Sequence, residues 1–497
     1  MDTIVRTRQG MVRGAMTEGV AVFKGIPYAA PPFGDNRFQP PRPHEPWDGV
    51  REALNYGPTV PKPPYFPPFD VLLPEPAIPG EDCLNLNIWS PDLSGRAGLP
   101  VMVWIHGGAF ANGSNAIPTY DGARFARDGV VYVSINYRLG SDGFLYLGDR
   151  NANLGLLDQV AALAWVRDNI AAFGGDPRNV TIFGESAGGM SVATLLSMPR
   201  ARGLFRRAIA ESGAGHHVLS PATAQRVGQY LAEKLGVEPT RESIAAVSSD
   251  LLLQAQVELS ADVFGNPDPV RWGEAAANLM PFEPVIDGDV LPARPIDRIA
   301  SGAGADVDVM VGTNTEEERL FMVPNGSIYH ITEDILASTI AAYGLPVAET
   351  LATYRAKRQD ASAGDLYEAI LTDWFFRIPA IRMAEAHTQA GAGSTYMYEF
   401  SWRSPQFDGH LGACHALEVP FTFDNLDKEG MELLLGPNPP QQIADAMHKA
   451  WVNFATNGDP GWPQYNMNRR TTMRFDTTSE SVEDPRSAER SLWEGLR

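Results

Sequence analysis

Ser186 stands in Gly184-Glu185-Ser186-Ala187-Gly188, a Gly-x-Ser-x-Gly spacing that suits a serine acting as nucleophile in acyl transfer. The preceding Val180-Thr181-Ile182-Phe183 is β-branched and aromatic and reads as a buried strand. Gly189 to Leu196 follows without a proline and reads as a helix. Glycines let the chain turn sharply between the two, so that the hydroxyl stands exposed above a sheet. The helix then aims its first N–H groups at any anion formed there. A glycine-rich turn with an incidental serine would share the pentapeptide, but the flanking strand and helix favour the nucleophile.

An alcohol is a weak nucleophile at neutral pH, so Ser186 needs a base in hydrogen-bond reach and an acid to orient that base. On a strand–elbow–helix scaffold the chain order is serine, acid, histidine. Of the nine histidines, His216 and His217 follow the elbow too closely to leave room for the acid. His387 and His448 sit in helical patterns, and His330 falls in an inserted region. His410 and His415 share the loop after a strand at 395–400, where the base belongs, and His415 is favoured. The acid should follow an earlier strand end, and Glu316-Glu317-Glu318 leaves the strand 307–311. Three like charges in a row ordinarily form a solvated loop, so two of these are expected to be just that.

A developing oxyanion needs backbone donors from a second loop. His106-Gly107-Gly108-Ala109-Phe110 directly follows an apolar strand at 101–105 and provides them, with the N–H of Ala187 as a third donor.

The elements that must position these groups alternate. Val101–Ile105 and Val130–Ile135 are nearly continuous apolar runs, as in strands covered on both faces. Residues 84–88 alternate Leu and Ile with Asn, which predicts a strand with one buried face. Leu156, Val160, Leu163, Val166, Ile170 and Phe173 predict an amphipathic helix over 155–173. The pattern is a doubly wound, mostly parallel α/β sheet. Helical insertions at roughly 215–300, with pieces at 222–235 and 244–259, and at 320–390 are expected over the C-terminal strand ends. Pro58–Pro79 reads as a long ordered loop. One domain over 1–497 accounts for the whole pattern.

The formal charge of -20 opposes binding to nucleic acid or an anionic membrane, and no run reaches the ~18 apolar residues of a span. The first ten residues hold no apolar core of a secretory signal, and Cys83 and Cys414 are too few for a disulfide scaffold or a cysteine metal site. A cytoplasmic protein with free thiols is the expectation.

Several stretches together resemble the type-B carboxylesterases, the cholinesterase-like α/β-hydrolase family, and within it the bacterial para-nitrobenzyl esterases. They are Phe23–Ala29, Glu81–Asn87, Trp104–Phe110, Asn136–Gly140, Asn153–Gln159, Phe173–Pro177, Gly184–Gly188 and Gly412–Pro420, in family order along nearly the whole chain. The resemblance implies the α/β-hydrolase fold and a triad of Ser186, Glu317 and His415, with oxyanion donors at Gly108, Ala109 and Ala187. It implies ester hydrolysis through an acyl-enzyme, no metal and no organic cofactor. It also brings Phe110, His216, Phe321 and Phe375 near a substrate pocket whose apolar walls suit alkyl or aryl esters. Two departures bear on the site: Ala109 replaces the third glycine of the family's loop, and Glu318 stands where the family usually has glycine. Cys83 matches a position that secreted relatives use for a disulfide, with no cysteine nearby to pair with it.

The expected partner is a small-molecule ester, and the expected assembly a monomer or small homo-oligomer. The same residues would serve a carbamate hydrolase, amidase or thioesterase. A catalytically inactive binding module is the rival from another class, disfavoured because all three triad candidates are present.

Overall fold

In a computed structural model, residues 3–496 are described. The strands in chain order are β1 (Ile4–Arg6), β2 (Met11–Arg13), β3 (Ala15–Thr17), β4 (Val20–Pro27), β5 (Val50–Glu52), β6 (Asn85–Ser90) and β7 (Leu99–Ile105). They continue as β8 (Val131–Ile135), β9 (Gly175–Glu185), β10 (Arg207–Glu211), β11 (Asp308–Asn314), β12 (Thr395–Phe400), β13 (Thr471–Phe475) and β14 (Glu480–Glu483). Eleven of them form one sheet in the order β14-β13-β12-β11-β10-β9-β7-β8-β6-β4-β3. From β8 to β13 every pairing is parallel, and both margins turn antiparallel. Strands β1, β2 and β5 make a separate small sheet.

Helices cover both faces of the central strands, which is why β8 and residues 101–105 of β7 are buried without alternation. Strand β6 departs from its predicted pattern, since all six of its residues are buried. Its second face lies under neighbouring loops, where Asn85 Nδ2 donates to the carbonyls of Pro58 (2.8 Å) and Asp82 (2.9 Å). Asn87 Nδ2 likewise donates to the Asn115 carbonyl at 3.0 Å. Buried amides are tolerated because they are bonded.

The predicted helix 155–173 is an α-helix over Leu154–Asn169 that tightens to a 3-10 turn over Ile170–Phe173. It is not cleanly amphipathic. Asp158 and Gln159 are buried too, the first on Arg138 at 2.8 Å, the second donating to Ser191 Oγ at 3.0 Å. The helix expected at 244–259 breaks into Arg241–Ala245 and Ser249–Gly265, because Ser248 caps the second piece. Helical segments fill the connections from β10 to β11 and from β11 to β12. Residues 58–79 hold only the short helix Phe69–Leu72. No single helix among the described residues is long and apolar enough to cross a membrane.

Candidate active site

Strand β9 ends at Glu185, and the helix Ala187–Ser197 begins one residue after Ser186. Ser186 holds the connection at φ 58° and ψ -125°, a strained conformation for a residue with a side chain. Its N–H donates to the Glu211 carbonyl at 2.9 Å, and its carbonyl accepts from Met190 at 2.8 Å. Gly188 is obligatory here: a Cβ on it would stand 2.0 Å from the Ile105 carbonyl oxygen. The turn is therefore pressed against the end of β7, beside the second loop.

That loop runs His106 to Gly113. Ala109 and Phe110 both take positive φ, 52° and 57°, as does Gly108 at 107°. The Gly108 carbonyl accepts from Ala111 (2.9 Å) and Asn112 (2.8 Å), and the His106 carbonyl accepts from Tyr137 Oη at 2.8 Å, which fixes the loop's course. A Cβ on Gly107 would meet the Glu185 carbonyl oxygen at 2.7 Å and Ser186 Cβ at 3.0 Å, so loop and elbow touch. The N–H groups of Gly108, Ala109 and Ala187 donate to no acceptor among the described residues. Three open donors beside one hydroxyl are what an oxyanion requires.

Strand β11 delivers the three glutamates, and they diverge. Glu317 is buried and its Oε2 lies 2.7 Å from His415 Nδ1, while the two loops are also joined by His415 N–H donating to the Glu317 carbonyl at 3.1 Å. Glu317 Oε1 accepts from Ser212 Oγ at 2.6 Å and from the Asn314 N–H at 2.8 Å, so the carboxylate is held at both oxygens. Glu316 is not free in solvent as expected of a charged loop. It pairs with Arg319 at 2.9 Å and with Arg403, accepts from the Ala413 N–H at 3.0 Å, and lines a separate cavity of about 510 Å³. Glu318 retains accessible surface and, among the described residues, its carboxylate has no bonded partner.

The other ring nitrogen, His415 Nε2, lies 3.1 Å from Glu185 Oε1, and Ser186 Oγ makes no hydrogen bond among the described residues. Burial opposes charge on His415, but Glu185, the bond to Glu317 and Glu418 outweigh it and hold the imidazole up to about 10. Burial lifts Glu185 to about 7, opposed by His415 and reinforced by Glu317. Glu418, beneath, is held well above the carboxylate range by burial and by Glu185, Glu317 and Glu211. Asn314 Nδ2 binds both Glu418 and the Cys414 carbonyl, the latter at 2.7 Å.

The pocket candidates separate. Phe321, 38% exposed, has its ring centroid 5.3 Å from that of His415. Phe375 stacks on His217 at 4.1 Å instead, and it is Phe376, one residue on, that packs against His415 at 4.8 Å. His216 keeps partial exposure. Phe110 is corrected: its positive φ turns the ring into the main core against Phe144 at 5.0 Å, leaving no free face for a ligand. His410 is exposed on its loop, 6.0 Å from Tyr329. Glu185, Ser212 and Glu418 escaped sequence reasoning. Only Glu185 left a signal, as an acidic residue inside the elbow. Cys83 and Cys414 are buried and free. Among the described residues no group of His, Cys, Asp and Glu is arranged to hold a metal ion.

The sheet, elbow and facing loop define an α/β-hydrolase. Residues 1–493 match the model of the Carboxylesterase family, and the chain belongs to that family. It is 40% identical over 504 residues to the para-nitrobenzyl esterase of Bacillus subtilis (strain 168), covering 98% of this chain and 97% of that protein. It is 35% identical over 492 residues to the phenmedipham hydrolase of Pseudarthrobacter oxydans, covering 93% and 92%. A crystal structure of a Geobacillus stearothermophilus carboxylesterase superposes with a TM-score of 0.86 at 40% identity, covering 99% of this chain and all of that one. The protein is a carboxylic ester hydrolase.

Proposed function

We propose that the protein hydrolyses alkyl or aryl esters through an acyl-enzyme on Ser186, with His415 as base and Glu317 as its orienting acid. The observation that carries this reading is the 2.7 Å bond from His415 to a carboxylate fixed at both oxygens, one loop away from a strained serine elbow. Glu317 keeps the imidazole proton on Nδ1, which leaves Nε2 to act as the base. Nε2 and Ser186 Oγ come into hydrogen-bond reach when substrate fills the site, a tightening usual for catalytic hydrogen bonds on substrate binding.

Ser186 Oγ then attacks the ester carbonyl carbon as its proton passes to Nε2. The carbonyl oxygen takes the electron pair and receives hydrogen bonds from Gly108, Ala109 and Ala187. When the tetrahedral intermediate collapses, the C–O bond to the alcohol breaks and the Nε2 proton leaves with the alcohol. Water, deprotonated by the same nitrogen, attacks the acyl carbon; the bond to Ser186 Oγ then breaks, the Nε2 proton returns to Oγ, and the acid is released. An alanine at 109 keeps its N–H as a donor while adding a methyl that a glycine lacks.

A carbamate reading keeps the same residues and draws on the phenmedipham hydrolase similarity. Hydrolysis of para-nitrophenyl acetate, butyrate and octanoate, set against phenyl carbamates, tests the two. Esters turned over faster support the first reading, carbamates turned over faster the second, and the chain-length trend sizes the acyl pocket.

A further inference from the structure

Glu318 is an anomaly in the pocket. It begins the short helix Arg319–Met322 at φ -68° and ψ -12°. Residues three apart share a helical face, so Glu318 lies on the face of Phe321, whose exposed ring packs against His415. Arg319, Leu320 and Met322 turn the other faces into the protein. The backbone is anchored, with the Glu318 N–H donating to Thr372 Oγ1 at 3.2 Å and its carbonyl accepting from Phe321 (3.0 Å) and Met322 (3.1 Å). Across from Phe321 stands Phe69 of the 58–79 segment, ring to ring at 6.3 Å, which closes the wall on that side.

Neighbouring Glu316 and Glu317 are spent on ion pairing and on His415, but the carboxylate of Glu318 is committed to nothing among the described residues. The surrounding protein raises it to about 7, first by desolvation, with His415 opposing and Glu317 adding. Glu318 is thus closely surrounded yet keeps accessible surface, next to the Phe321 ring that packs on His415.

The geometry points to Glu318 as a specificity-determining residue: a carboxylate with no bonded partner among the described residues, on the Phe321 side of His415, that selects esters carrying a cationic ammonium group and rejects anionic ones. With Glu318 ionised, above about pH 7, an ammonium group entering the pocket gains an attraction strengthened by the low dielectric of the cleft, while a carboxylate substrate meets a like charge. The net charge of -20 acts in the same direction by drawing cations toward the surface. This assignment rests on the ester-hydrolase reading and adds the substrate class.

The test uses two matched substrate pairs. In one, the para-nitrophenyl ester of γ-trimethylammonio-butyric acid is compared with its carbon isostere, a tert-butyl group replacing the ammonium. In the other, the same exchange is made on the alcohol of a butyrate ester. The readout is the kcat/KM ratio of charged to uncharged ester in wild type, Glu318→Gln and Glu318→Asp. The proposal expects wild type to prefer the cation in at least one pair, Glu318→Gln to lower that ratio about tenfold, and Glu318→Asp to keep most of it. Turnover of the uncharged isosteres reports that each variant is folded. Ratios unmoved by Glu318→Gln in both pairs overturn the proposal while leaving ester hydrolysis intact. No turnover of any ester by wild type overturns the hydrolase reading itself.

Discussion

Glu185 Oε1 lies 3.1 Å from His415 Nε2, so the imidazole has a carboxylate at each end, with Glu317 at 2.7 Å from Nδ1. The second carboxylate stabilises the imidazolium, the form that His415 takes in the proposed mechanism when it accepts the serine's proton. It also holds the resting base protonated to higher pH.

Glu185→Gln tests that balance. A base must be neutral to act, so kcat/KM rises with pH as His415 loses its proton. Removing the Glu185 charge lowers the imidazole's pKa, and the ascending limb of the profile should move to lower pH by about one unit. A limb that stays in place, or moves up, contradicts the electrostatic role.

The three consecutive glutamates make a second test. Glu317→Gln should lower kcat by about 10²–10⁴-fold, because the amide presents the wrong partner to Nδ1. Glu316→Gln keeps an acceptor for the Ala413 N–H and should stay within about tenfold of wild type. Equal losses at the two positions would mean that the orienting acid is misassigned.

Buried Glu211 gives a stability prediction. Burial pushes its carboxyl up to about 8, against the bond from Trp451 Nε1 at 2.9 Å. An acid with a raised folded pKa favours the fold while it is neutral. Between about 4.5 and 8 the unfolded chain has released this proton and the folded one has not, so this contribution to stability declines as pH rises. Glu211→Gln should therefore gain stability relative to wild type as pH rises from 5 to 8, a trend thermal unfolding at several pH values reads directly. A difference independent of pH contradicts the account.

Gly188→Ala should cost about 1–3 kcal/mol or more, since the new methyl meets the Ile105 carbonyl at 2.0 Å. Gly265→Ala is the control: nothing lies within 4 Å of its added Cβ, and it should be neutral or mildly stabilising. Denaturant unfolding of both variants checks the pair.

The sequence carried the elbow, the apolar strands and the acid and histidine loops, because each depends on local chemistry: glycines where the chain turns, continuous apolar runs where helices cover both faces. Strands β13 and β14 went unseen. Thr471–Phe475 mixes polar and apolar residues at a sheet margin, where periodicity is weak. The environment of the imidazole was equally hidden. Ser212 reaches Glu317 across 105 positions of sequence, and Glu418 is neighbour to Glu185 only through the fold. Phe110 was misread for a local reason, since an apolar residue beside a glycine turn gives no hint of which way its ring will turn.

The nucleophile is the centre of the account, and covalent labelling tests it most directly. Wild type and Ser186→Ala are each incubated with a serine-reactive aryl phosphonate, with intact mass and para-nitrophenyl butyrate turnover followed together. The account predicts a single adduct on wild type, located at Ser186 and formed in step with the loss of turnover, and neither adduct nor turnover in Ser186→Ala. Retained turnover in Ser186→Ala, or an adduct on another serine that tracks inactivation, would contradict it.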